Sequence, residues 1–235
     1  MNNNTLQIKF RQRLNKNASD DYDNIECWQI VETFNKAQIE WCRRQLHGNN
    51  MFKEGDEMSK RRIDDLQNLL VDYAINTHNY EKYVKSTNFP VDDYLEYKRV
   101  SADAECLDSG CPTRSMTVYL AEEANVDMLL RDPLKKPDWD WGETFCTMAN
   151  NNIKIYLTDF NIVNVSLMYY RKPKNIEISG CVDPYTGQTS LTDIECEFKD
   201  DIIEIIIDEA VAIVAGDIAD VNNYGREMQS AERNN

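Results

Sequence analysis

The chain has 235 residues, 42% of them hydrophobic, which suits one large domain or two small ones with a substantial core. Its formal net charge of −15 argues against a surface that grips nucleic acid through clustered Lys and Arg, and an acidic wall would instead repel passing DNA. No stretch reaches the roughly 20 apolar residues of a membrane span, and Met1-Asn-Asn-Asn-Thr has no apolar leader core, so synthesis in a reducing cytoplasm is expected.

The first predicted helix is capped by Thr5 and runs to about Asn15, with Leu6, Phe10 and Leu14 at four-residue spacing. Asn15 to Asp21 breaks it. A second helix begins after Asp23, with Asp23 and Glu26 as a capping box and Trp28, Val31, Phe34, Ala37 and Trp41 on its apolar face. Gly48 is placed to end it in the left-handed conformation. A third helix is expected from about Asp56 to Ile75, with Ile63, Leu66, Leu70 and Tyr73 on one side and Lys60-Arg-Arg and Asp64-Asp on the other. These segments form the expected first part, residues 1–87.

Near Phe89-Pro90 the helical period gives way to short segments bounded by turns. Tyr94 to Ala102, Met116 to Leu120, Thr144 to Met148, Ile153 to Leu157 and Asn164 to Tyr170 read as strands. Asn150-Asn-Asn is a good tight turn because Asn tolerates positive φ. A short helix from Asn125 to Arg131 is closed by Asp132-Pro133, and Asp183-Pro-Tyr-Thr-Gly is a second turn. This strand-rich part is expected over residues 88–180, followed by a linker, a long helix and a polar, loose tail over 181–235.

The long helix is predicted from about Phe198 to Met228. Ile203, Ile207, Ala210, Val214, Ile218 and Val221 form one stripe, broadened by Ile202, Ile206 and Ile213. Asp200, Asp201 and Glu204 at its start and Arg226 near its end complement the helix dipole. Such a wide apolar face has to be covered by the other helices. The expected fold is therefore α+β: a helical bundle made by N- and C-terminal helices, with an inserted strand-rich module, barrel- or sandwich-like.

No phosphate loop, nucleophile elbow or dinucleotide fingerprint occurs. Seven cysteines at irregular spacing make a poor disulfide framework, and buried free thiols are the expected state. Cys106 and Cys111 form the close pair, and neither His47 nor His78 stands in zinc-ligand spacing to it. Asp201, Glu204 and Asp208 share a helix face, where three carboxylates could hold Mg²⁺ or Mn²⁺, but acids in first turns are also explained by the dipole. Arg43-Arg44 and Arg61-Arg62 could touch phosphate; pairing with acids, within the chain or between subunits, is the expected role. Asp138-Trp-Asp-Trp-Gly could be a sugar platform, but Trp139 and Trp141 read first as anchors to a core or an interface. Trp41, Arg43, Arg44, Arg61, Arg62, Trp139 and Trp141 are thus the expected contact residues. Catalytic residues, cofactor sites and metal sites are not expected.

Several stretches together resemble the ring or adaptor proteins of the head-to-tail connector in crAss-like short-tailed bacteriophages. The resemblance runs from Asp23 to about Gln229. It is carried by Val31-Glu-Thr-Phe-Asn-Lys-Ala-Gln-Ile-Glu-Trp-Cys-Arg-Arg-Gln-Leu-His-Gly, Arg62-Ile-Asp-Asp-Leu-Gln, Glu123-Ala-Asn-Val-Asp-Met-Leu-Leu-Arg-Asp, Trp141-Gly-Glu-Thr-Phe-Cys, Tyr170-Arg-Lys-Pro and Phe198-Lys-Asp-Asp-Ile-Ile-Glu-Ile-Ile-Ile-Asp-Glu-Ala. It implies a virion structural protein that forms a homo-oligomeric ring, commonly a dodecamer, at the head-to-tail junction. Its expected partners are the portal protein and other ring or tail proteins, with genomic DNA passing through the channel without specific binding and no membrane contact. The alternatives are a metal-dependent enzyme using the acidic helix face and a monomeric accessory binding module.

Overall fold

The structure is a computed structural model and describes residues 1–15, 25–47, 64–107, 112–217, 225–226 and 228–230. It is mixed α+β and divides into two compact units. One is contiguous, Leu69–Lys172; the other joins Met1–Asn68 to Pro173–Asn235.

In the contiguous unit eight strands form one sheet: β1 (Leu70–Ile75), β2 (Thr77–Asn79), β3 (Tyr83–Ser86), β4 (Tyr94–Cys106), β5 (Arg114–Leu120), β6 (Glu143–Ala149), β7 (Asn152–Tyr156) and β8 (Phe160–Arg171). Their order across the sheet is β1-β8-β4-β5-β6-β7-β3-β2. The two outermost strands are therefore consecutive in the chain, separated by Asn76 alone, so the sheet must curl until its edges meet in a nearly closed barrel. The junction is clasped by the next segment. Asn76 N–H donates to Asn88 Oδ1 at 2.6 Å, and the Asn88 amide donates to the Ala74 carbonyl at 3.3 Å. Thr87 N–H donates to the Asn76 carbonyl at 2.8 Å. Three register shifts in β4 against β8 bend these two long strands, as curvature requires.

The third helix expected through Ile75 is not what forms there. Leu70–Ile75 is strand β1, paired antiparallel with β8, and Val71, Tyr73 and Ile75 take the inner face in alternation. A β-branched and aromatic set at every second position fits a pleated strand better than a helix once a partner is present. The barrel unit thus starts well before Phe89-Pro90. Between β6 and β7, Asn150 and Asn151 have φ of 51° and 56°, the doubly left-handed backbone of a type I′ hairpin turn. The parallel pair β5 and β6 needs a crossover, which passes through a 3₁₀ turn, Glu123–Asn125, and helix α3 (Val126–Arg131). The interior is filled by side chains such as Ala104, Cys146, Ile155, Phe160, Leu167 and Tyr169, so the barrel is a packed core.

The second unit holds α1 (Asn3–Leu14), α2 (Cys27–His47) and α4 (Asp200–Asp217). Asn2, not Thr5, caps α1: its side chain accepts from Thr5 N–H at 2.8 Å. At the start of α2, Glu26 N–H donates to Gln29 Oε1 at 3.0 Å while the Glu26 carboxylate accepts from Trp28 Nε1 at 2.6 Å; Asp23 lies outside the described residues, as does Gly48. Along α4, Ile202, Ile203, Ile205, Ile206 and Ile207 are all buried, so the helix is covered nearly all round, by α1 and α2 among others. The expected continuation of this helix through residues 218–224 lies outside the described residues. Among the described residues, no helix is long and apolar enough to cross a membrane.

Candidate interaction surfaces

The Asp138-Trp-Asp-Trp-Gly segment is a tight, heavily bonded turn on the barrel unit. Trp139 N–H donates to Asp159 Oδ1 at 3.2 Å, Trp141 N–H to Asp138 Oδ1 at 3.0 Å, and Gly142 N–H to the Asp138 carbonyl at 3.1 Å. Trp139 is turned toward the core and packs on Phe160 at 6.4 Å between ring centres. Arg114 from β5 lies over that indole ring. Gly142 has a φ of +68°, which strains any residue with a side chain, and a Cβ there would stand 2.5 Å from the Arg114 guanidinium and push it aside. With the turn so fixed, Trp141 is held out of it and is 71% exposed. Nearby on the same unit, a shallow pocket of about 340 Å³ is lined by Tyr119, Leu120, Leu129, Leu134 and Phe145, and Leu134 at its rim is 80% exposed. Trp139 and Trp141, read together from the sequence, have opposite roles: one anchors the loop, the other is presented outward.

In the helical unit the expected contact residues separate in the same way. Trp41 is 2% exposed and meets Phe198 edge-on at 5.1 Å, so it belongs to the core and not to a surface. Arg44 pairs within the chain with Glu209 on α4, while Arg43 is exposed. Arg61 and Arg62 lie outside the described residues. Glu209 is 2% exposed, and burial pushes its carboxyl up to about 7 despite the opposing Arg44 cation. One carboxylate oxygen of Glu209 and one guanidinium nitrogen of Arg44 are buried with no hydrogen-bond partner among the described residues.

The acidic face of α4 is an ion-pair ladder. Glu204 pairs with Lys9 and with Arg13 of α1, and Asp208 accepts from Arg13 at 2.6 Å and from Ser230 at 2.9 Å. Asp201 is exposed beside them. Two of the three carboxylates considered for Mg²⁺ or Mn²⁺ are thus already bonded to cations. Among the described residues, no group of three or more potential ligands is placed to hold a metal ion.

The cysteines depart from expectation. Cys27 at the start of α2 and Cys181 form a disulfide across 154 residues, with Cα atoms 5.7 Å apart, and Cys106 is also disulfide-bonded. Spacing along the chain carries no trace of a bridge this long. Cys42, Cys146 and Cys196 are free and buried, and burial pushes the thiols of Cys146 and Cys196 up to about 11, so both stay protonated at neutral pH.

A second concavity, missed from the sequence, lies wholly within the helical unit. It is an open groove of about 490 Å³ between the first turns of α2 and the extended chain from Asn175 to Ser190. Trp28 and Tyr185 meet edge-on across it, 6.5 Å between ring centres. The Asp183-Pro-Tyr-Thr-Gly turn forms part of its wall: Asp183 accepts from Tyr185 N–H and Thr186 Oγ1, and Gly187 sits at φ +68°. No protein-family model matches this chain, and comparison with curated proteins finds no match.

Proposed function

We propose that the chain is a structural subunit of a phage head-to-tail connector, assembling as a ring, of twelve copies by the resemblance, between portal and tail. In this reading α1, α2 and α4 form a bundle that serves as the ring body, and the barrel unit docks onto the adjoining component. The observation that carries the reading is Trp141. A large aromatic held outward by a rigid, multiply bonded turn loses little conformational entropy on binding, which is the property of an interface anchor. The exposed Leu134 and the apolar pocket near it extend that surface. The net charge of −15 suits a channel component past which DNA must slide. Electron cryomicroscopy of the phage particle tests this: the chain should trace into a ring between portal and tail. Its absence from purified particles by mass spectrometry, or density elsewhere in the capsid, would overturn the proposal.

A further inference from the structure

The groove beside α2 has three properties that together select a ligand class. Its walls are fixed before anything enters. The Cys27–Cys181 disulfide ties the start of α2 to the extended wall, and Asn35 holds it again further on, its Oδ1 accepting from Ile176 N–H at 2.8 Å and its amide donating to the Ile176 carbonyl at 3.3 Å. The lining is aromatic at one end, where Tyr185 is 80% exposed next to Trp28. And it is electrically one-sided: Glu32, Glu177 and Asp183 line it, with no Lys or Arg among the described residues that line it.

These acids are not equivalent. Glu177 accepts from Ser190 and Thr192 at 3.2 and 2.9 Å, and Asp183 is held below the usual carboxylate range by its bonds to Tyr185 N–H and Thr186. Both are already fixed in place by these bonds. Glu32, exposed on α2 one turn after Trp28, has no hydrogen bond or ion pair among the described residues. It is the carboxylate left to meet a ligand.

We propose that this groove receives an arginine side chain from another protein chain, its guanidinium stacked on one ring of the edge-on Trp28–Tyr185 pair and forked onto the Glu32 carboxylate. Planarity matters here. A guanidinium can lie flat on an aromatic ring while its edge donates two parallel hydrogen bonds to a carboxylate, whereas an ammonium cannot do both. A neutral sugar could stack and donate hydroxyls to the carboxylates but brings no positive charge to match the one-sided field, and an anion would be repelled by it. The inference rests on the connector reading only for taking the donor to be a protein; the recognition chemistry stands on the groove itself.

The test uses the full chain, labelled with ¹⁵N, and N-acetyl-arginine amide as probe, followed through the indole N–H resonances. The Trp28 signal, assigned with Trp28→Phe, should shift saturably while those of Trp41, Trp139 and Trp141 stay in place. Glu32→Gln, at an exposed position that leaves the fold unchanged, should weaken the affinity about two- to fivefold, the range of an exposed charge pair. N-acetyl-lysine amide should bind more weakly, and N-acetyl-glutamine amide and maltose should leave Trp28 unmoved. Absence of a saturable shift, indifference to Glu32→Gln, a lysine response equal to that of arginine, or an equal response to maltose would each overturn the assignment. None of these outcomes depends on ring formation, so failure here and failure of the connector reading are separate results.

Discussion

Arg114 and Trp139 hold one another in two ways: the guanidinium carbon stands 5.5 Å from the centre of the indole, and Arg114 Nη1 donates to the Trp139 carbonyl at 2.9 Å. Strand β5 thereby grips both the side chain and the backbone of the turn that displays Trp141. The rigidity of that display is a property of this pair and of the glycine that makes room for it.

Gly142→Ala should therefore loosen the turn. A residue with a Cβ in the left-handed region costs roughly 1–2 kcal/mol, and here the Cβ also displaces Arg114. Urea denaturation should show a loss of about 2 kcal/mol, and combination with Arg114→Ala should be less than additive because both act on one contact.

Removing Arg44 strands a buried charge. Arg44→Ala should lower stability at pH 8 by something on the order of 3 kcal/mol, because Glu209 loses the cation that opposes its burial and must either stay charged in a buried site or take up a proton. Arg44→Met combined with Glu209→Leu should recover most of that loss. A double variant as unstable as the single one would mean that Arg44 acts through something other than Glu209.

The same carboxyl makes stability depend on pH. Glu209 titrates near 7 in the folded chain because of burial, against an ordinary value of 4.5. Between those values the folded chain keeps a proton that the unfolded chain has released. Stability contributed by this group is thus highest below about pH 4.5 and declines as pH rises through about 7, by something on the order of 2–3 kcal/mol. Denaturation midpoints from pH 5 to 8 should show this decline against the background of the other groups, and Glu209→Gln should flatten it.

Breaking the Cys27–Cys181 link should release a long loop. Closure across 154 residues restricts the unfolded chain enough to stabilise the fold by roughly 4–5 kcal/mol in the chain-entropy account. Paired Cys27→Ser and Cys181→Ser substitution should lower the thermal midpoint under oxidising conditions and make no difference once the parent is fully reduced.

At the β6–β7 turn, Asn151→Val should cost about 1–2 kcal/mol by thermal denaturation, because a β-branched residue resists positive φ. Asn151→Gly should be neutral or mildly stabilising, since glycine adopts that conformation without strain.

What the chain's order of residues settled by itself was local. The four-residue spacing of Leu6, Phe10 and Leu14 is a helix wherever it is placed, and two asparagines between alternating segments make a hairpin turn because few other residues accept left-handed φ. Five of the eight strands were legible for the same reason, as was a wide apolar helix late in the chain. Leu66, Leu70 and Tyr73 keep a helical spacing while Val71, Tyr73 and Ile75 alternate as a strand does, and the choice falls to strand because β8, some ninety residues on, offers a hydrogen-bonding edge. The bridge from Cys27 to Cys181, the pairing of Arg44 with Glu209 and the groove between Trp28 and Tyr185 all join residues distant in the chain. No periodicity records such meetings. They depend on which surfaces the helices and the extended chain of that one unit leave free to touch, and that is decided when distant segments of the chain pack together.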